Sequence, residues 1–154
     1  MSPSYRQLEL LSQQLHQAHR SAVHSGLNAR GLEEVGHPIL LTILQSSDQP
    51  FAQRDLARLL HISSPAVANS LKSLEKGGYI YREPFRGDAR RNRVALTDKG
   101  RQAVEGCHAV FDDVSRRMLE GFSPQEREQL LAFRQRMLDN LRGDPAPTSE
   151  KEES

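Results

Sequence analysis

Tryptophan is absent from this 154-residue chain, aromatic residues make up 5% of it, and cysteine occurs once. With so few rings, the core has to come from aliphatic side chains on helices. The single Cys107 excludes an internal disulfide and fits a reducing compartment. No apolar run approaches the roughly eighteen residues that cross a bilayer. Residues Met1 to Gln13 also lack the basic start and apolar stretch of a secretion signal. A cytoplasmic protein with no membrane contact is therefore expected. There is no glycine-rich phosphate loop, no Cys-x-x-Cys and no His-Glu-x-x-His, and spacing ties no scattered Ser, His and Asp into a nucleophilic set. Neither catalysis nor a cofactor is expected.

Charge is present, but unevenly. The net value of +1 conceals a basic middle: eleven Lys/Arg against five Asp/Glu between Phe51 and Arg101, with ten against fifteen elsewhere. A basic segment between acidic ends suits a face that meets a polyanion. Mutual attraction between the two parts would give the same distribution, so charge alone decides nothing.

The periodicity reads mostly as helix. Leu8, Leu11, Leu15, Ala18 and Ala22 step by three and four, predicting a helix over 5–25 with one apolar seam. A second helix is expected over about 32–46, with Val35, Ile39, Leu40, Ile43 and Leu44 inward, ended by the polar cluster 46–50. Residues 52–60 form a third, burying Leu56, Leu59 and Leu60. After a short turn at His61-Ile62, Ser63-Ser64-Pro65 opens a fourth with an inner face of Val67, Leu71 and Leu74, stopped by Gly77-Gly78. Two β-forming runs, 79–83 and 93–96, flank a loop over 84–92 and predict a hairpin. Thr97 caps a helix to about Gly121 with a stripe of Val104, Cys107, Phe111, Val114 and Met118. Ser123-Pro124-Gln125-Glu126 is a capping box for a final helix carrying Leu130, Phe133, Met137 and Leu141. Residues 143–154 hold proline and charge without period and read as a disordered acidic tail.

The fold class expected is mainly α with a two-stranded β-wing: a winged helix-turn-helix domain over 5–142. Its DNA-binding lobe would span 34–97, flanked by dimerisation helices over 5–25 and 123–142. Apolar seams on helices this long exceed what a small domain can cover, so a second copy is the expected partner, with Leu8, Leu11, Leu15, Leu130, Phe133, Met137 and Leu141 at the interface. An intramolecular bundle is the alternative. In the helix-turn-helix, the second helix fits a major groove, with Ser63, Ser64, Pro65, Ala66, Asn69, Ser70 and Lys72 outward. An amide at Asn69 suits an adenine. Ser63, Ser64 and Lys72 suit phosphates, helped by Gln53 or Arg54. The hairpin tip carries Arg86, Arg90 and Arg91, a cationic cluster shaped for a minor groove, while Arg82 and Arg93 on its strands are equally well read as surface charges.

At these residues the chain resembles the MarR family. The resemblance lies in Leu56-Ala57 through Ile62-Ser63, in Leu74 through Ile80, and above all in Asp88-Ala89-Arg90 followed by Val94-Ala95-Leu96-Thr97-Asp98-Lys99-Gly100. It covers about residues 5–142. It implies a triangular homodimer joined by its first and last helices, which binds a pseudo-palindromic operator in double-stranded DNA, usually as a repressor, and releases it on binding a small phenolic or other anionic effector. It also implies that Arg90 reaches the minor groove and that Asp88 orients the arginine tip. The family's usual recognition-helix arginine is replaced here by Asn69, and a common threonine by Ala66, which leaves the operator sequence open.

Two sensing chemistries and one rival function remain as alternatives. Cys107 lies in an apolar stripe, where cysteine behaves as a small hydrophobe, and peroxide-sensing relatives carry theirs in the first helix. His108 and Asp112 form an i, i+4 pair with zinc-ligand spacing; His16 and His19 share a face, and His24 and His37 could meet. Histidines on amphipathic helices are more often surface residues than ligands, so no metal is expected. A winged helix used for protein contact would show no salt-dependent affinity for DNA.

Overall fold

The computed structural model describes residues 1–35, 38–46, 51–85 and 88–143. The elements in order are α1 (Tyr5–Ala29), α2 (Pro38–Gln45), β1 (Phe51–Ala52), α3 (Gln53–Leu60), α4 (Ser64–Lys76), β2 (Ile80–Phe85), β3 (Asp88–Leu96), α5 (Asp98–Met118) and α6 (Pro124–Leu141). Two compact units divide the chain, Met1–Val114 and Ser115–Ser154, the boundary falling in the last turn of α5. None of the helices is long and apolar enough to cross a membrane, among the described residues. The helices and the wing hairpin are the architecture that the sequence predicts, with a two-residue strand added at the wing's other edge.

The first unit is held together by aliphatic packing. Val23 and Leu27 of α1, Leu40, Leu41 and Leu44 of α2, Leu56 of α3, and Val67, Leu71 and Leu74 of α4 join Ile80, Val94, Leu96 and the α5 stripe Val104, Cys107, Val110 and Val114 in one cluster. Only the C-terminal half of α1 enters this core: Tyr5 to Ala18 are exposed throughout, so the seam Leu8–Leu11–Leu15 stays in solvent. The sheet is antiparallel with order β1-β3-β2, and register pairs Ile80 with Leu96 and Arg82 with Val94. Because side chains alternate along a strand, Ile80 and Arg82 face one side of β2 and Tyr81 and Glu83 the other. A bulge between Pro84 and Phe85 shifts the register near the tip.

The joint between α4, β2 and α5 is tightly specified. At the end of α4, Gly78 takes φ +80° and the Tyr79 amide donates to the Leu74 carbonyl at 3.0 Å. The Thr97 hydroxyl donates to Gly78 O at 2.6 Å and also accepts from the Gly100 amide at 3.0 Å, capping α5. A Cβ on Gly100 would collide with the Tyr79 carbonyl, so this close approach admits glycine alone. In the second unit, α6 opens with the expected capping box: Glu126 N donates to Ser123 Oγ at 3.1 Å, and Ser123 N donates to Glu126 Oε2 at 3.2 Å. No residue of α6 is buried.

Several expectations are corrected. α1 runs to Ala29 rather than Ser25, and α5 ends at Met118 rather than Gly121. α2 begins at Pro38, well after residue 32, with the ring in the first turn where its missing N–H costs nothing. Ile39 and Leu59, expected inside, are 53% and 52% exposed. Each lies more than about 100° around its own eight-residue helix from the centre of the buried stripe, and so short a helix covers only one stripe. The 84–92 segment, expected as a loop, is largely strand. His37, the cluster 47–50 and residues 144–154, the expected acidic tail, lie outside the described residues.

Candidate nucleic-acid interface

The helix-turn-helix is formed by α3, a three-residue turn and α4. His61 turns the chain in the left-handed region, φ 52°, the one non-glycine residue with positive φ among those described. Ser63 then caps α4, its Oγ accepting from the Ala66 amide at 3.2 Å. With Val67, Leu71 and Leu74 buried, the opposite face is set by helix geometry. Ser63, Ser64, Pro65, Ala66, Asn69 and Lys72 are exposed, and Ser70 is half-buried. The side chains of Ser64, Asn69 and Lys72 have no hydrogen-bond or ionic partner among the described residues. In α3, Arg54 is exposed and Gln53 half-buried.

The β2–β3 hairpin follows α4 directly. Asp88, Arg90 and Arg91 lie on β3, with Asp88 opposite Phe85; Arg86 lies outside the described residues. The two strand arginines are engaged within the protein. Arg93 Nη2 stands 3.6 Å from Glu83 Oε2 of the paired strand. Arg82 Nε is 3.0 Å from Glu75 Oε2, though not aligned as a hydrogen bond, and Arg82 Nη1 donates to Gln53 Oε1 at 3.3 Å. Sequence reasoning left Arg82 and Arg93 open between DNA and solvent and missed this third role. The alternation that places Arg82 on the same side as Ile80 was the available signal.

At the base of the hairpin, Lys99 Nζ donates to Gly77 O at 2.6 Å and lies 4.6 Å from the centre of the Tyr79 ring, a cation–π contact. Burial pushes the Tyr79 phenol up from its ordinary value, helped by the charges of Glu34 and Glu33.

Away from this face, a cavity of about 710 Å³ opens beside α1 and α2. His16, His19, Arg20 and His24 supply its basic wall; Val23, Leu27, Val35, Ile39 and Phe111 are apolar, and Glu33 is the acidic member. Ile39 is thus exposed into a cavity wall. Cys107 is fully buried, and burial pushes its thiol up, which disfavours the reactive thiolate. His108 and Asp112 are both exposed on α5, and no group of three or more potential metal-ligating side chains occurs among the described residues.

Comparison with known proteins points the same way. The MarR family model matches residues 30–91. YdgJ of Bacillus subtilis (strain 168), an HTH-type transcriptional regulator, is 35% identical over 102 residues, covering 66% of this chain; the chain spans 62% of that relative's length. Among solved structures, the S. aureus MepR–DNA complex superposes with TM-score 0.78 at 26% identity, covering 90% of this chain and 99% of that one. The transcriptional regulator SlyA shares the fold, with TM-score 0.74 at 23% identity over 88% of this chain and 95% of its own. YdgJ and SlyA carry the name of transcriptional regulators, and MepR is solved on DNA. Over the matched residues the chain resembles MarR-family proteins, and its fold is similar to that of the MepR–DNA complex.

Proposed function

We propose that this protein regulates transcription in the cytoplasm by binding double-stranded DNA as a homodimer, without catalysis. The observation that carries the reading is the polar, unpartnered outer face of α4, presented beside an arginine-bearing hairpin on a fold similar to one solved on DNA. The N-terminal half of α4 enters a major groove, with Asn69 reading a base and Ser63, Ser64, Ser70 and Lys72 at phosphates beside Pro65 and Ala66. Gln53 and Arg54 approach the backbone from α3. The wing, with Arg86, Arg90 and Arg91 positioned by Asp88, follows the minor groove.

The dimer forms through α1 and α6, whose Leu8, Leu11, Leu15, Phe133, Met137 and Leu141 are exposed in the single chain, with Leu130 half-buried. Such an array of exposed apolar side chains favours association. The lobe 34–97 is then held by dimerisation helices 5–25 and 123–142, and two copies of α4 meet a pseudo-palindromic operator about one helical turn apart. A small anionic or phenolic effector binds in the cavity between its basic wall and its apolar floor. Occupancy that shifts the spacing of the two α4 helices releases the operator, which is how a repressor is relieved.

The test is selection from a pool of genomic duplex fragments. The reading expects a few fragments with inverted half-sites, retained by a dimer at moderate salt. Equal weak retention of every fragment, or of none, contradicts it.

A further inference from the structure

Arg82 sits on β2 in the middle of the basic segment, where a cation is readily taken for a phosphate contact. Its geometry says otherwise. It shares its side of the strand with buried Ile80, its side chain is only 25% exposed, and its guanidinium spans two other elements: Glu75 in the last turn of α4 at 3.0 Å and Gln53, the first residue of α3, at 3.3 Å. One side chain therefore ties the hairpin to both helices of the helix-turn-helix. We propose that Arg82 is a positioning residue that touches no DNA: through Glu75 and Gln53 it fixes the angle between the wing and the recognition helix, so that both grooves are met at once.

The Gln53 side-chain oxygen accepts in this clamp, which leaves the amide NH2 as that side chain's donor for DNA. Glu75 has the more telling role. It is an acid among eleven cations, and by simple electrostatics its loss strengthens attraction to a polyanion. If it anchors Arg82, its loss weakens binding instead, because a misdirected wing forfeits its contacts. The two accounts differ in sign.

The inference rests on the proposed DNA-binding function, and one experiment separates their failures. Affinity for a duplex selected by the wild-type protein is measured across a salt series for wild type, Glu75→Gln, Arg82→Ala and the double variant, with melting temperature recorded for each. The expected result is a loss of about tenfold for Glu75→Gln and for Arg82→Ala, with the double variant no worse than the poorer single one. The slope of log K against log[salt] stays at the wild-type value in all of them. Tighter or unchanged binding by Glu75→Gln overturns the proposal. So does a slope that flattens by about 0.9 in Arg82→Ala, since that is the signature of a lost phosphate contact. Should Arg82→Ala fail to fold, the near-isosteric Glu75→Gln still carries the test through its sign. If wild type itself selects no duplex, the DNA-binding function falls and this inference with it, and that outcome is recognised by the silence of all four proteins.

Discussion

Helices α4 and α6 both carry apolar residues at helical spacing and meet opposite fates. In α4, Val67, Leu71 and Leu74 vanish into the core and the polar side is left outward. In α6, Phe133 remains 52% exposed and Leu141 89%, and nothing on the helix is buried. The same contrast divides α1 within itself, where Val23 and Leu27 are buried and Leu11 is 63% exposed. Periodicity thus says that a stripe is to be covered, not by what. Where the covering is the chain's own core, the outward face is free for a polar ligand. Where it is not, the apolar stripe is itself the candidate interface.

The contrast can be broken most severely at its buried end. Leu71→Ala removes a fully buried side chain and is expected to cost about 2–5 kcal/mol in chemical denaturation, at any protein concentration. Gly100→Ala, forced against the Tyr79 carbonyl, is expected to cost about 1–3 kcal/mol by the same measurement. The exposed stripe responds differently. Phe133→Asp with Leu11→Asp is expected to convert a dimer to a monomer in sedimentation velocity while helical circular dichroism is kept, and a dimer unaffected by both charges would place the interface elsewhere.

On the polar face, Asn69→Ala is expected to lose about 1–3 kcal/mol of discrimination at one base pair of each half-site, read by competition between operator variants, with little change in melting temperature. The smallest effect concerns Cys107. Its folded pKa is raised above its ordinary 9.0 by burial, so its contribution to stability is full below that value and is lost as pH rises through the folded pKa. Tyr79 acts in the same direction from 10.0. Melting temperature should therefore fall above about pH 9, and less steeply in Cys107→Ala than in wild type.

Which parts were legible from sequence follows from where the information is local. The α6 capping box, the glycine stop after α4 and the Thr97 cap are each written in three or four consecutive residues, and each is found. Pro38 was an equally local signal for the start of α2, overlooked in favour of the apolar run that begins earlier. β1 has only two residues and no period to read. The 84–92 segment lacks the alternation of apolar and polar residues by which a strand is read from sequence. Ile39 and Leu59 are apolar residues whose position on the helix, not their type, decided exposure. The outward residues of α4 follow from its inner face. The Arg82 clamp joins positions 53, 75 and 82, a proximity created only by the fold.

The central claim is that α4 and the wing dock together on specific DNA. It is tested most directly by a salt series on a selected operator fragment, comparing wild type with the Arg90→Ala, Arg91→Ala double variant. The account predicts a steep wild-type slope of log K against log[salt] that flattens by about 0.9 for each phosphate contact the pair supplies, together with weaker binding. A variant that binds the fragment with wild-type affinity and slope would contradict it.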